Sequence, residues 1–537
     1  MTTSNYMPDV VVEIAFNAGY STPTASRTWT DVSAYVELKE GLNITYGRQD
    51  EFGVAEPNTL SLTLDNRDGR FTAGKTGGAY YPNVKIGRPI RVTSTPVGGS
   101  PSVRFLGFVE EWPVAWDGSD NYAKAQITAL SRMARLGLDA PLRSIVQEEI
   151  LNSAPIAYWP LNDPVGSVTV ANAVAGSNTL GLFGDGSPLT FGADVELAGD
   201  PGTGIRTSST GGTNYLYGPL AAGISTAHPA TIGVEVFVTD ASTTAPGGTG
   251  MVALYGNTSL GGGSFHIDFD TTEFYVLYSD SVGGIGTVIG GVPTGRAVHV
   301  AGILTTTGAS TATLDLYVNG ALVGSSALTG LTPTTLNHAY VGFAGTGSVR
   351  LGHAAVTTTA TNVLERAKAG MTGFYGETAG ERIARLARYA GVLSNEVSSS
   401  TSTQAVSAID TTDLTALEVM RKVESVEDGV LHDSRDGVLT LFSRASRFYT
   451  TSAFTLTADQ VESDVSPKLD RSTLVNDITA TAQDGTSSRS SDATSIAAYG
   501  YARQSLDIPG TAADAATAAS WAVLRFAEPL NRIPALS

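Results

Sequence analysis

Residues 87–116 read GRPIRVTSTPVGGSPSVRFLGFVEEWPVAW, and the fold turns on how they are read. Ile90 and Val92 alternate with Arg91 and Thr93, the period-two signature of a half-buried strand. A Pro/Gly/Ser turn follows, and Val103, Phe105 and Phe108 resume the apolar pattern. Residues 105–109, FLGFV, are apolar at successive positions. Such a run has no solvent side, so burial on both faces is expected. Gly107 inside it marks a bulge or a close backbone approach. Nothing in the stretch is chemically reactive. It reads as the centre of a β-barrel that holds a shape and meets neighbours.

Working outward, residues 9–16 (DVVVEIAF), 29–36 (WTDVSAYV) and 42–46 give further strands. Leu60, Leu62 and Leu64 alternate with Ser61, Thr63 and Asp65. Residues 122–130 (YAKAQITAL) supply the last barrel strand. Asp65 and Asp68 flank a turn and are read as turn caps, because no fuller series of Ca²⁺ ligands follows. Phe105, Phe108 and Trp112 are the expected barrel core.

Residues 87–89 with 104–112 (RFLGFVEEW), 62–71 (LTLDNRDGRF) and 80–83 (YYPN) together resemble the N-terminal barrel of minor tail proteins from long-tailed phages of actinobacteria. The resemblance covers roughly the first 140 residues. It implies a tail-tip (baseplate) hub, a homotrimeric ring that closes the tail tube. Its partners would be the distal tail and tape-measure proteins and other minor tail or receptor-binding proteins. Its place would be the virion tail tip, assembled in the host cytoplasm.

The chain has 537 residues, too many for one core, so several domains are expected. Apolar residues make up 42% and charged residues 16%, with 60 Gly, which suits β-rich domains with many turns. A net charge of −18 is the reverse of a nucleic-acid footprint. With no cysteine there is neither a disulfide, a thiolate metal site nor a Cys nucleophile. No apolar run reaches the ~18 residues of a membrane span, and the N-terminus lacks the basic and apolar regions of a signal peptide.

Residues 141–152 have helical spacing after a proline, and 141–153 are read as a linker helix. Residues 155–163 (PIAYWPLND), 298–302 (VHVAG), 314–323 (LDLYVNGALV) and 349–356 (VRLGHAAV) resemble laminin-G-like, concanavalin-type jelly rolls. Asn319-Gly320 is a hairpin turn, since both residues tolerate positive φ. A short helix over 362–369 closes this domain, placed at 154–374. It holds five of the six histidines, at 228, 266, 299, 338 and 353, with no metal-binding spacing. His266, Asp268 and Asp270 share a strand face by the period of two. They suit a sugar or Ca²⁺, though a full ligand set is not visible. Tyr275 and Tyr278 on the next strand could stack on a sugar ring. No other cofactor is implied.

From 375 to 537 the pattern is α+β. Residues 381–389 (ERIARLARY) read as an amphipathic helix with Arg382, Arg385 and Arg388 outward and Gly391 as its stop. A second helix spans 413–427, capped by Thr412 or Asp413. Residues 427–442 (EDGVLHDSRDGVLTLF) again resemble phage tail hubs. Strands and a helix follow to 526, and a hub sheet would be expected to continue past the end.

The expected fold is therefore mainly β and multidomain: a hub-type β-barrel (1–140) plus an α+β module, interrupted by a β-sandwich jelly roll. The functional expectation is a structural tail-tip hub, not an enzyme, whose jelly roll binds host surface carbohydrate. The competing reading is a tail-associated glycosidase or wall lysin. Against it, Glu196, Glu235, Glu273 and Glu365 are too scattered to pair, and no G-x-S-x-G occurs.

Overall fold

In a computed structural model, residues 8–48, 53–117, 122–184, 189–207, 214–240, 249–256, 262–269, 272–282, 284–291, 296–342, 348–401, 404–448, 455, 457, 468–469, 471–529 and 531–532 are described. The chain is mainly β and divides into two units. One comprises residues 1–141, 376–407 and 414–537, and the other residues 142–375 and 408–413.

The first unit opens with strands β1 (Asp9–Ile14), β2 (Thr30–Asp31), β3 (Leu42–Gly47), β4 (Glu56–Asp65), β5 (Pro89–Thr95), β6 (Ser102–Glu111), β7 (Val114–Asp117) and β8 (Tyr122–Leu130). They form one antiparallel sheet in the order β2-β1-β5-β6-β8-β4-β3, with β7 on β8. The expected barrel is not closed: the order begins at β2 and ends at β3. The reason is local. The Asp31 carboxylate accepts the Ser33 N–H at 2.8 Å, which turns the chain and ends β2 after two residues. Single turns of 3-10 helix, Ser33–Tyr35 and Leu38–Glu40, follow, and between them Val36 makes an isolated bridge to Leu64 of β4.

Strand β6 is buried on both sides. Phe105 and Val109 join Ile14, Leu60, Leu64, Ile90 and Ile127 in the core. Phe108 lies on the other side, its ring 4.7 Å from that of Tyr20 and beneath Arg27. A Cβ on Gly107 would lie 2.4 Å from the Leu130 carbonyl oxygen, so the glycine permits a close backbone approach. Trp112 is half-buried against the core and donates its indole N–H to the Lys85 carbonyl at 2.8 Å. Asp65 and Asp68 cap their turns, each accepting a backbone N–H, from Arg67 and Arg70, at 3.0 Å.

The later segment packs onto the same sheet. Leu106 of β6 fills the space over Gly437, in the hairpin of Val430–Asp433 and Leu439–Phe442. Asn58 of β4 donates to the Asp433 carbonyl at 3.0 Å, and the Asp433 carboxylate accepts the Met133 N–H at 2.8 Å. Arg132 meets Glu396 at 2.8 Å. Helix Ala379–Tyr389 departs from the sequence reading. Arg382 is fully buried and bonds Glu377 at 2.7 Å, because that glutamate is itself packed beneath the helix. The next helix is Ala416–Glu427, started by a capping box of Thr415 and Glu418 rather than by Thr412 or Asp413. A small sheet, Ser487–Ser491, Asp477–Ala482 and Arg503–Ile508, packs its apolar face on helix Ala512–Phe526.

The second unit is a sandwich of two eight-stranded antiparallel sheets. The front sheet runs in the order Thr169–Val170, Leu180–Phe183, Tyr215–Ser225, Thr335–Val341, Thr249–Tyr255, Ser264–Phe269, Phe274–Ser279, Ile285–Gly290. The back sheet runs Thr190–Asp194, Thr203–Arg206, Arg350–Thr357, Thr231–Thr239, Val298–Gly308, Thr311–Val318, Ala321–Thr329, with Ala157–Trp159 on Arg350–Thr357. Their facing side chains, among them Trp159, Val234, Val236, Phe265, Ile267 and Leu314, make one core. Asn319 and Gly320 both take positive φ in the hairpin turn. Helices Ile145–Asn152 and Val363–Thr372 belong to this unit. The segment read as a linker is thus tied in: Ser144 donates to Asp200 at 2.8 Å. No helix among the described residues is long and apolar enough to cross a membrane.

Candidate functional site

The outer face of the front sheet gathers aromatic rings by strand register alone. Tyr217 pairs with Tyr340, Tyr340 with Ala253, Ala253 with His266, and His266 with Leu277. One lateral row therefore crosses five strands on one face. The next row runs from His338 to Tyr255, and Phe183 stands opposite Tyr215. Tyr340 and Tyr255 are buried at the centre. Around them Phe183 and Tyr215 stack at 6.2 Å and 15°, and Tyr217 and His338 at 5.4 Å and 11°. Phe183 is exposed and the other three are half-buried. Together they form a platform of clustered rings on this face. Burial pushes the Tyr255 and Tyr340 hydroxyls up to about 12, aided by the nearby Asp268 and by the neighbouring tyrosines respectively.

Asp268 sits beside this platform, 7% exposed. It accepts a hydrogen bond from Tyr275, its cross-strand neighbour, and lies 3.3 Å from His266 Nε2. No Lys or Arg pairs with it among the described residues. Burial pushes its carboxyl up to about 7 and pulls the His266 imidazole down to about 4. The contact has the spacing of an ion pair, but between pH 4 and 7 it is a neutral one, carboxylic acid to imidazole. The other carboxyl oxygen, Oδ1, is buried with no hydrogen-bond partner among the described residues.

Of the residues singled out from sequence, His266, Asp268 and Tyr275 thus meet on one face. Tyr278 does not. It points into the sandwich core, and its hydroxyl donates to Thr226 at 3.2 Å. The period of two puts residues 275 and 278 on opposite faces. Asp270 lies outside the described residues. Phe183, Tyr215, Tyr217, Tyr255, His338 and Tyr340 were not singled out from sequence. Tyr215-x-Tyr217 and His338-x-Tyr340 carry the alternation, but only the pairing of distant strands brings them together.

The back sheet's outer face differs. Glu235 is buried with Arg366 Nε at 2.7 and 2.8 Å from its two oxygens and His299 Nε2 at 3.3 Å. Burial would raise its pKa, but Arg366 and His299 hold the carboxyl at about 2. Asp200 is likewise held at about 2, against burial, by His353 at 2.9 Å. The Glu235–Arg366 pair seats helix Val363–Thr372, where Gly370 lies so close to Phe237 that a Cβ would meet the ring at 2.1 Å. No group of three or more His, Cys, Asp or Glu suited to a metal ion occurs among the described residues.

No family model and no curated protein matches the chain. Among solved structures it is similar to the receptor-binding domain of a botulinum neurotoxin mosaic serotype C/D (10% identity, TM-score 0.31, 42% of this chain and 53% of that one). It is similar too to the binding domain of botulinum neurotoxin serotype G (10%, 0.31, 42% and 53%). A third is the binding domain of Paraclostridial Mosquitocidal Protein 1 (14%, 0.29, 40% and 52%). The match spans about half the length of each of these structures. With TM-scores near 0.3 they stand as neighbours and carry no argument about this chain.

Proposed function

We propose that the chain is a structural protein of a phage tail tip whose inserted sandwich binds host surface carbohydrate. The observation that carries the binding role is the ring platform of Phe183, Tyr215, Tyr217 and His338 beside an uncharged polar pair. Ring faces stack on the C–H faces of pyranose sugars, and the Asp268 carboxyl is buried beside them. The hub role rests on the sequence resemblance. It is supported by the way residues 1–141, 376–407 and 414–537 contribute to one unit while residues 142–375 and 408–413 form the other, an arrangement in which the insert can change without rebuilding its host. Ring copies would add avidity to a weak site. We read the chain as non-catalytic and in need of no cofactor.

The test is binding of the full chain to host cells and to a glycan array, with Tyr217→Ala beside it. Saturable binding lost in the variant is expected; no binding by the intact chain, even when multimerised, overturns the carbohydrate role. Particle reconstruction tests the hub, and a position away from the tail tip or a ring of other than three copies overturns it. Asp268 gives the enzymatic reading its one foothold, since a carboxyl with a raised pKa is what a glycosidase acid needs. Such chemistry requires a second carboxylate within roughly 5–9.5 Å. Glu235 is locked on the opposite sheet by Arg366. Release of reducing sugar from host wall would favour that reading.

A further inference from the structure

The face that carries the rings is wider than the rings. Strand register extends each of its rows to the edge strand Ile285–Gly290. The row through His266 and Leu277 ends at Thr287. The row through Tyr255 continues over Ser264 and Ser279 to Ile285, and Asp268 and Tyr275 lead to Ile289. The period of two keeps these residues on one face. Phe183 at one end is 57% exposed, and Ile285 and Ile289 at the other are 66% and 55% exposed, so the face is open to solvent at both ends.

The eight strands of this sheet hold one carboxyl, Asp268, and neither Lys nor Arg. The segments that join them are no more basic. From residue 144 to 349 the chain has fourteen Asp or Glu against two Arg and no Lys. Arg206 belongs to the back sheet and lies 3.2 Å from Asp240, and Arg296 immediately precedes the back-sheet strand Val298–Gly308. The His266 imidazole is pulled down to about 4 by burial, so it is neutral at neutral pH. A bound anion needs a positive partner in place of the water it sheds. The strands of this face offer none, and the acidic sequence around them repels one. An uncharged sugar needs no such partner, because rings pack on its C–H faces and Ser, Thr and Tyr hydroxyls bond its hydroxyls.

We infer that this face takes an uncharged glycan and rejects glycans that bear carboxylate, sulfate or phosphate groups. The inference rests on the carbohydrate role proposed above and narrows it. Selection works by exclusion: a neutral sugar leaves water for rings and hydroxyls at little cost, whereas an anion is desolvated beside Asp268 with no counter-charge.

The test is a glycan array that carries neutral and anionic members, among them uronate glycans beside their methyl esters, which differ in charge alone. The full chain is applied at pH 8, above the ordinary imidazole range, in ~0.05 M and ~0.3 M salt. The expected binders are uncharged, each methyl ester binds about tenfold or more above its uronate, and neutral binding changes by less than about twofold with salt. Tyr217→Ala removes that binding. Ile289→Lys sets a cation on the exposed end of the face, beside Tyr275, and is expected to narrow the gap between ester and uronate. Uronates that bind as well as their esters, binding that falls about tenfold with salt, or a gap that the lysine leaves unmoved overturns the inference. So does neutral binding that survives Tyr217→Ala, since it would lie on another surface. Anionic binders lost in Tyr217→Ala leave the carbohydrate role standing and overturn this inference alone. No binder of either kind overturns both, so the two failures are distinguishable.

Discussion

Glu235 and Asp268 are carboxylates buried on the outer faces of opposite sheets of one sandwich. Each lies beside a histidine at 3.3 Å, yet their chemistry diverges. Glu235 has Arg366 against both oxygens and is held at about 2. Asp268 has no such cation among the described residues and is pushed up to about 7. Burial opposes charge in both places; what differs is whether the fold supplies a counter-charge. On the back face the counter-charge comes with a helix, and the pair fixes that helix in place. On the front face no Lys or Arg among the described residues meets the carboxyl; in both places one oxygen, Oδ1 of Asp268 and Oε1 of Glu235, makes no hydrogen bond among them. The first arrangement is what a structural joint needs, and the second is a neutral pair set among rings.

The comparison breaks most visibly at Arg366. Arg366→Met leaves Glu235 buried without its main cation and should cost about 3–5 kcal/mol. A urea titration followed by hydrogen exchange on peptides of residues 231–239 reads the loss in this unit. Adding Glu235→Leu should recover most of it, because an apolar pair in that space needs no counter-charge. If the single variant is as stable as the parent, the back-face pair is not the joint described.

Asp268→Asn should act in the opposite direction. At pH 8 the parent must keep an ionised carboxylate buried with no cation. The amide removes that cost, on the order of 1–3 kcal/mol, since each tenfold loss of acidity on burial corresponds to about 1.4 kcal/mol. Stabilisation with loss of carbohydrate binding would mark a residue kept for function at the expense of stability. Destabilisation would mean that the carboxyl is paired in solution.

How far these differences could be read from sequence depends on the distance between the residues involved. The strand residues 105–109 announced burial on two sides because the signal is local, and Gly107 announced a close approach for the same reason. The strand read over residues 29–36 was cut to Thr30–Asp31 by the turn that the Asp31–Ser33 bond makes. Arg382 looked solvent-facing on a helical wheel, since nothing local reveals that Glu377 waits under the helix. His266, Asp268 and Tyr275 could be grouped because they lie on adjacent strands. The tyrosine platform could not, because Tyr217 and Tyr340 are 123 positions apart (340 − 217) and meet only through pairing register.

The front-face pair also has a pH signature. Folded, between pH 4 and 6.5, His266 is neutral and Asp268 protonated. Unfolded, the imidazole is protonated and the carboxyl is not. Both states bind one proton, so the pair adds no slope to stability in that window. Asp268→Asn exposes the histidine's contribution: its folded pKa is depressed, the unfolded state binds more protons, and stability should rise from pH 4 to 6.5. His266→Gln exposes the carboxyl's: its folded pKa is raised, and stability should fall from pH 4 to 7. The limiting slope is about 1.4 kcal/mol per pH unit. Glu235 and Asp200, both held near 2, add stability that is complete only above about pH 5.5 and lost progressively below it, so the same rising background enters both variants at the acid end and the slopes are compared above that pH. Parallel slopes in the two variants would show that the pair does not share its proton.

The smallest effect belongs to Tyr278, and it separates core from site. Tyr275 and Tyr278 are three positions apart on one strand, so one faces the platform and the other the core. The Tyr278 ring is packed among core side chains, and its hydroxyl donates to Thr226 inside the unit. Tyr278→Phe keeps the ring and removes that bond, which should cost about 0.5–1.5 kcal/mol of stability and leave carbohydrate binding unchanged. Tyr275→Phe removes the donor to Asp268 instead. It should change stability by less than the core variant does, because Asp268 keeps His266, and its effect should appear in binding. Both substitutions delete one hydroxyl from the same strand, so chemistry and position along the chain are nearly matched. If Tyr278→Phe weakened binding as much as Tyr275→Phe, the two faces would not be functionally distinct, and the division of this sandwich into a locked face and an open one would fail.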